Sequence, residues 1–295
     1  MSTTIKATAD PLAATARSTR AELLRLRTWP AVWITLGAWL ALSIMFGYLF
    51  TYLSYTTGDS NFADEGSTKA QQLAEMLPTG MPDVFLQGMP MFGGALMMVL
   101  GALVAGNGYG WGTWKTTFSL GVRRAPAVLG SIAALTTFVV ATLVASLAVD
   151  LGISLLITVT EGEDVVMPSL GSVIESFGAG FLVLEMWALL GYLLGTVARG
   201  PALSVGLGLV WALVVENLLR GVGALLGWVE ALTEVLPGTA AGSLVGSLVG
   251  VDGDGNGTPG VLDAVGGDRA AITVAVYVLV AIVASVLLVQ RRDVS

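Results

Sequence analysis

NGYGWGTWKTTFSLGVRR, Asn107 to Arg124, is the interval on which the reading of this chain turns. MPMFGGALMMVLGALVAG (89–106) precedes it and APAVLGSIAALTTFVVATLVASLAV (125–149) follows it. A helix needs ~20 consecutive apolar residues to cross the hydrocarbon core of a bilayer. The two flanks have that length and character, so this polar interval, with its aromatics, one lysine and two arginines, is a loop between two membrane spans. None of its side chains can perform covalent chemistry unaided.

The rest of the chain repeats the pattern. Of 295 residues, 55% are hydrophobic and 12% charged, with a mean hydropathy of +0.80. Soluble domains carry about 25% charged residues. Alternating segments of ~10 residues, which a membrane β-barrel requires, are absent. The expected fold is therefore an all-α integral membrane protein with six spans, near 29–52, 84–106, 127–149, 176–198, 202–219 and 270–289. The third run stays apolar as far as Val159, so its helix is expected to tilt or to project from the membrane. Residues 29–295 read as a single six-helix domain.

Residues 1–28 read as a separate tail. The first nine have no regular pattern. Asp10-Pro11 then starts a helix, with a capping carboxylate before a proline at the first helical position. Leu12, Ala16, Thr19, Leu23 and Leu26 share one face, and Arg17, Arg20 and Arg27 another. That pattern fits an amphipathic helix lying in the plane of an anionic leaflet. Trp29 and Trp33 at one end of the first span, and Tyr48, Tyr52 and Tyr55 at the other, suit interfacial aromatic belts.

Basic residues set the orientation. With the N-terminus inside, the interior segments hold Lys6, Arg17, Arg20, Arg25, Arg27, Lys115, Arg123, Arg124, Arg199, Arg291 and Arg292. The exterior holds Lys69, Arg220 and Arg269 and most of the acids, which accounts for the net charge of −7. Both termini are then cytoplasmic. Gly200, Ser204, Gly208 and Ala212 recur every fourth residue in the fifth span, and Gly191 and Gly195 form a GxxxG pair in the fourth. Such ridges let helices approach closely, within one chain or between two copies. Val222 to Leu236 is too short and acidic to span, and reads as an outer helical segment between the fifth and sixth spans.

Self-sufficient catalysis finds no residues to carry it. There is no cysteine or histidine, so no disulfide, thiolate metal site, HExxH motif or histidine-based triad exists. No lysine follows a glycine in a phosphate-binding loop. The spans as drawn hold no lysine and no pair of aspartates for intramembrane proteolysis. Two acids do fall within them, Glu185 mid-span and Glu216 toward the outer end of the fifth. An intramembrane acid is a candidate for a translocation path, while an interhelical hydrogen bond, or for Glu216 proximity to Arg220, is the structural alternative. Asp252, Asp254, Asn256, Gly257 and Asp263 match an EF-hand calcium loop in spacing. Pro259, the poor helix formers on either side and the shorter Asp at the last position favour a plain Gly/Asp loop.

Four short motifs fall in order along this layout. They are Glu22-Leu23-Leu24-Arg25-Leu26-Arg27-Thr28 before the first span; Tyr109, Gly112, Thr113, Lys115, Thr116, Thr117, Arg123 and Arg124 after the second; Leu236-Pro237-Gly238; and Arg291, Arg292 and Asp293 after the last. In this respect the chain resembles the ABC type-2 permeases, the membrane subunits of two-component ATP-binding cassette exporters. The resemblance implies two permease subunits, identical or different, working with two cytoplasmic ATPase subunits in the plasma membrane. ATP and magnesium would sit in the ATPase, and this chain would bind no cofactor and no nucleic acid. It also implies that the interval after the second span is a coupling helix. Trp111, Trp114 and Phe118 would fill a groove on the ATPase, while Lys115, Arg123 and Arg124 would meet the anionic leaflet or partner acids. Gly108 stands where the family commonly has an acid, so a contact made by that acid is missing or is made by another group. The competing expectations are a stand-alone secondary transporter or channel using Glu185, and a membrane scaffold or sensor that recruits a cytoplasmic partner. An apolar, weakly charged interior suits drugs, lipids or hydrophobic peptides as cargo.

Overall fold

Asp10 begins the first helix as expected: its carboxylate accepts the Leu12 N–H at 3.1 Å, and Pro11 occupies the first turn. A computed structural model describes residues 10–58, 67–223, 225–251 and 258–292. Residues 1–9, the calcium-like positions Asp252, Asp254, Asn256 and Gly257, and Asp293 lie outside the described residues. Among those described, every regular element is helical. In chain order they are α1 (Pro11–Thr28), α2 (Pro30–Thr57), α3 (Lys69–Met76), α4 (Met81–Gly110), α5 (Thr113–Ser119), α6 (Arg124–Glu161), α7 (Leu170–Ala198), α8 (Pro201–Gly223), α9 (Gly227–Thr233), α10 (Pro237–Val249) and α11 (Gly267–Arg291). Six of them, α2, α4, α6, α7, α8 and α11, are long and apolar enough to cross a membrane. The protein is therefore a multi-pass α-helical membrane protein. α6 runs unbroken for 38 residues, about 57 Å at ~1.5 Å per residue, nearly twice the ~30 Å hydrocarbon core.

The centre of the bundle is the crossing of α4 and α7. Both have 61% of their most apolar window buried, against 17% for α8 and 22% for α11. Glycines make the contact. A Cβ on Gly101 would collide with the Ala188 carbonyl, one on Gly191 with the Met98 carbonyl, and one on Gly195 would lie 2.7 Å from the Ala102 carbonyl. The two backbones therefore meet without side chains between them. Around this pair, α11 and α6 flank α7, and α8 lies against both central helices. α2 is tied to α6 by hydrogen bonds from the Trp39 indole to Ser146 (2.8 Å) and between Tyr48 and Ser154 (3.1 Å).

The small-residue ridge of α8 has an internal role. Ser204 and Gly208 are buried, and Gly208 faces Met98 of α4 and Leu194 of α7. α1 lies across the start of α6, where Gly130 leaves room for the backbone of Ser18 and Thr19. Its expected apolar face is buried only at the C-terminal end, at Leu26, while Leu12 is 79% exposed.

The main surprise lies between α8 and α11. Of the expected helical segment Val222–Leu236, Val222 and Gly223 end α8 and Gly227–Thr233 form α9, which is followed by α10, bent from it by 73°. α10 is buried from Thr239 to Gly246. Its Gly242 carbonyl accepts the Leu262 N–H at 3.1 Å, and Ser243 Oγ accepts from the N–H groups of Ala264 and Val265. The sequence PGTAAGSLVGSLV is only 13 residues long, too short to span alone; taken together, α9 and α10 are long and apolar enough to cross a membrane, as a broken span or a re-entrant loop. The small side chains of α10 allow a tight return loop against one face.

Gly191→Leu is expected to destabilise the folded bundle by about 1–3 kcal/mol or more through overpacking. Gly206→Leu, in α8 with nothing within 4 Å of its Cβ position, should leave the protein unchanged. Thermal unfolding of the two variants in detergent measures the difference, and equal melting would contradict the backbone-contact account.

Candidate functional site

The interval between α4 and α6 folds as a short helix strapped to the end of the bundle. Gly112 (φ 67°) and Gly121 (φ 83°) bracket it, both in the left-handed region that glycine enters without a Cβ penalty. Between them, Trp114 and Phe118 stand four residues apart on one face of α5. Their rings stack at 5.4 Å, and Tyr109 lies 6.4 Å from Trp114. This face turns inward: Trp114 is only 7% exposed and Phe118 is half-buried. Trp111, by contrast, is 64% exposed, and Thr113, Lys115, Thr116 and Leu120 are also exposed. Of the three aromatics expected to fill a groove on a partner, only Trp111 projects outward.

Gly108 acquires a physical reason from this arrangement. A Cβ at that position would collide with the Trp114 indole. An acid cannot stand there while Trp114 packs as it does. Gly108 and the inward tryptophan are one structural choice.

Arg124 continues the strap. Its guanidinium lies 5.6 Å from the Phe118 ring centroid, and its Nη1 donates to the carbonyls of Arg292 (2.8 Å) and Val289 (3.1 Å). These are unsatisfied carbonyls at the C-terminus of α11, where a cation also complements the helix dipole. Arg292 Nη1 lies 3.4 Å from the Val197 carbonyl near the end of α7. Arg124 is thus engaged within the chain, whereas Arg123 and Lys115 are exposed. On the other side, Trp29 at the start of α2 meets Trp111 edge-on at 6.2 Å, and Arg25 sits 5.9 Å over the Trp29 ring. The ends of α1, α4, α7 and α11 and the starts of α2, α6 and α8 therefore gather at one end of the bundle, together with most of its arginines.

The intramembrane acids sit elsewhere and share no partner. Glu185 on α7 is 3% exposed, and its Oε1 accepts the Thr136 hydroxyl of α6 at 2.6 Å, while Oε2 has no hydrogen-bond partner among the described residues. Glu216 is fully buried and fully engaged. It accepts the Trp211 indole N–H (2.9 Å) and the Gly238 backbone N–H (2.8 Å), with Arg220 at 3.9 Å. Gly238 lies in the first turn of α10, so Glu216 occupies the positive end of that helix. A Cβ on Gly238 would strike the carboxylate, which explains the glycine of Leu236-Pro237-Gly238. The structure adds a third acid that the sequence scan stopped one residue short of. Asp150 on α6 is 1% exposed, near Tyr48 and Ser154, with the buried Ser43 hydroxyl of α2 facing its carboxylate. The signal available was the apolar run continuing past Val149, which should have carried Asp150 into the span.

Asp263, the last position of the calcium-like spacing, is exposed, and no group of three or more metal-ligating side chains converges among the described residues. No known protein-family model matches the chain, and no curated protein matches it.

Two variants test these local accounts. Gly108→Glu should expel Trp114 and loosen α5, seen as faster limited tryptic cleavage at Lys115; unchanged cleavage would dissociate Gly108 from the strap. Glu216→Ala should release the start of α10 and raise amide exchange across Pro237–Val249, at a cost of about 1–3 kcal/mol for the stranded donors. Unaltered exchange there would remove Glu216 from its capping role.

Proposed function

We propose that this protein is the permease subunit of an ATP-driven ABC exporter, and that α5 is the surface on which a separate cytoplasmic ATPase acts. One observation carries the reading: α5 presents Trp111, Lys115 and Leu120 outward while Trp114, Phe118 and Arg124 bind it to α4, α6 and α11. A force on such a helix reaches three spans at once. The arginine-rich end is cytoplasmic by the positive-inside rule, which puts both termini inside, α1 at the inner interface and the α9–α10 pair outside. A membrane-embedded body without a nucleotide motif needs energy from elsewhere, and an aromatic anchor ringed by polar groups suits a protein partner. The weakly buried α8 and α11 leave apolar faces for lipid and for a second permease subunit, in the plasma membrane.

The second reading is a stand-alone secondary transporter, favoured by the buried carboxylates of Glu185, whose Oε2 has no hydrogen-bond partner among the described residues, and Asp150. A soluble P-loop ATPase in a neighbouring reading frame is expected under the first reading alone, and co-expression with such an ATPase separates the two. Trp111→Ala with Lys115→Ala should reduce ATPase co-purification at least ~10-fold, the scale of losing one interface hot spot, with membrane insertion intact. Wild-type association in that double variant would sink the coupling role of α5, and transport persisting under ATP depletion would favour the secondary transporter.

A further inference from the structure

A cavity of about 410 Å³ opens at the arginine-rich end, enclosed by α1, the end of α4, α5 and the start of α6. Its walls are apolar at Ala21, Val122 and Pro126 and cationic at Arg17, Arg25 and Arg123. One acid faces these arginines, Glu22, which pairs with Arg25 at 2.7 Å. Burial pushes the Glu22 carboxyl up against the opposing pull of Arg25. Three buried polar atoms on the wall lack a hydrogen-bond partner among the described residues: Nε of Arg25, the indole N–H of Trp114, a side chain 7% exposed, and Oε2 of Glu22, which has its ion pair with Arg25. Buried donors are ordinarily satisfied, so a cavity with surplus positive charge and spare N–H groups is built for an acceptor-rich anion.

Guanidinium forks match phosphate oxygens in geometry as well as charge. The surroundings select the kind of phosphate. α1 lies along the end of the bundle beside Trp29; Val122 in the cavity wall is 40% exposed, and Leu24 and Leu120, next in sequence to the wall residues Arg25 and Gly121, are 62% and 78% exposed. Free phosphate would leave those side chains uncovered, whereas acyl chains attached to the phosphate would cover them. We propose that this cavity binds the headgroup phosphate of an anionic phospholipid, held by Arg17, Arg25 and Arg123 and wedged between α1 and α5. The site requires a membrane but no ATPase, so it stands apart from the proposed coupling role.

The test uses the full chain purified alone in detergent, with native mass spectrometry reading retention of added phosphatidylglycerol against phosphatidylcholine. Arg17→Gln with Arg123→Gln should lower phosphatidylglycerol retention about 30-fold, on the order of 5-fold per arginine. Arg20→Gln with Arg27→Gln removes the same charge from α1 outside the cavity wall and should change it little. Equal loss in both double variants would reduce the effect to diffuse charge and overturn the site. Displacement of the lipid by millimolar inorganic phosphate would make free phosphate the ligand and overturn the lipid assignment. Absence of any phosphatidylglycerol preference in the ATPase-free chain would also overturn it, leaving the cavity to an acidic side chain of a protein partner.

Discussion

Direct backbone contact between α4 and α7 is the constraint on which the other packing depends. Inside a bilayer, lipid tails are as apolar as leucine, so helix association rests on close van der Waals contact rather than on the hydrophobic effect. Gly101, Gly191 and Gly195 supply that contact by removing side chains from the crossing. Neighbouring positions extend it: Gly94 lies under the Trp187 ring, and Gly208 of α8 meets Met98 near the same crossing. The peripheral helices bury far less of themselves, yet each lies against the central pair or against a helix that does. A bulky residue at the crossing would thus disturb α8 as well as the pair itself.

Charge is used at the ends of this scaffold chiefly to close helices. Arg124 begins α6 and satisfies carbonyls that end α11, while Arg292 reaches the end of α7. At the opposite end Glu216 of α8 caps α10, and Arg269 pairs with Glu234 at 2.9 Å. In each case a long polar side chain satisfies backbone groups or a charge that would otherwise face a poorly hydrated boundary. The positive-inside count sees these arginines only as a topological signal. Their geometry gives several of them a second task, binding the last span to the loop after the second.

Hydropathy made the six long helices legible because each carries its own signal in one continuous run. The elements that escaped it depend on partners distant in sequence. α10 is too short to be read as a span by itself and is bent from α9 by 73°, and its burial comes from α11 and from residues 260–265 folding over it. Trp114 reads as an anchor for another protein until Gly108, six residues earlier, is seen to vacate the space beneath its ring. Small residues every fourth position in α8 fit an internal or an external contact equally well; Met98 and Leu194 show the contact to be internal. Asp150 was missed for a simpler reason, a span boundary drawn at bilayer thickness on a helix that continues beyond it.

α4 is the element through which the two ends of the bundle share a mechanical connection. Near its start, Met91 lies against Gly260 in the loop that folds over α10; near its end, Gly106 lies against the Gly200-Pro201 turn that begins α8. α8 in turn holds α10 through Glu216. The loop closes: α5 is joined to α4 by the turn at Gly112, α4 touches both the start of α8 and the cover of α10, and α8 grips the first turn of α10. Under the proposed reading, a push on α5 cannot move α4 along its axis without loading the α9–α10 pair from two sides. On that reading the closed path, with its contacts at Gly260, Gly106 and Glu216, is what would join the two faces of the bundle.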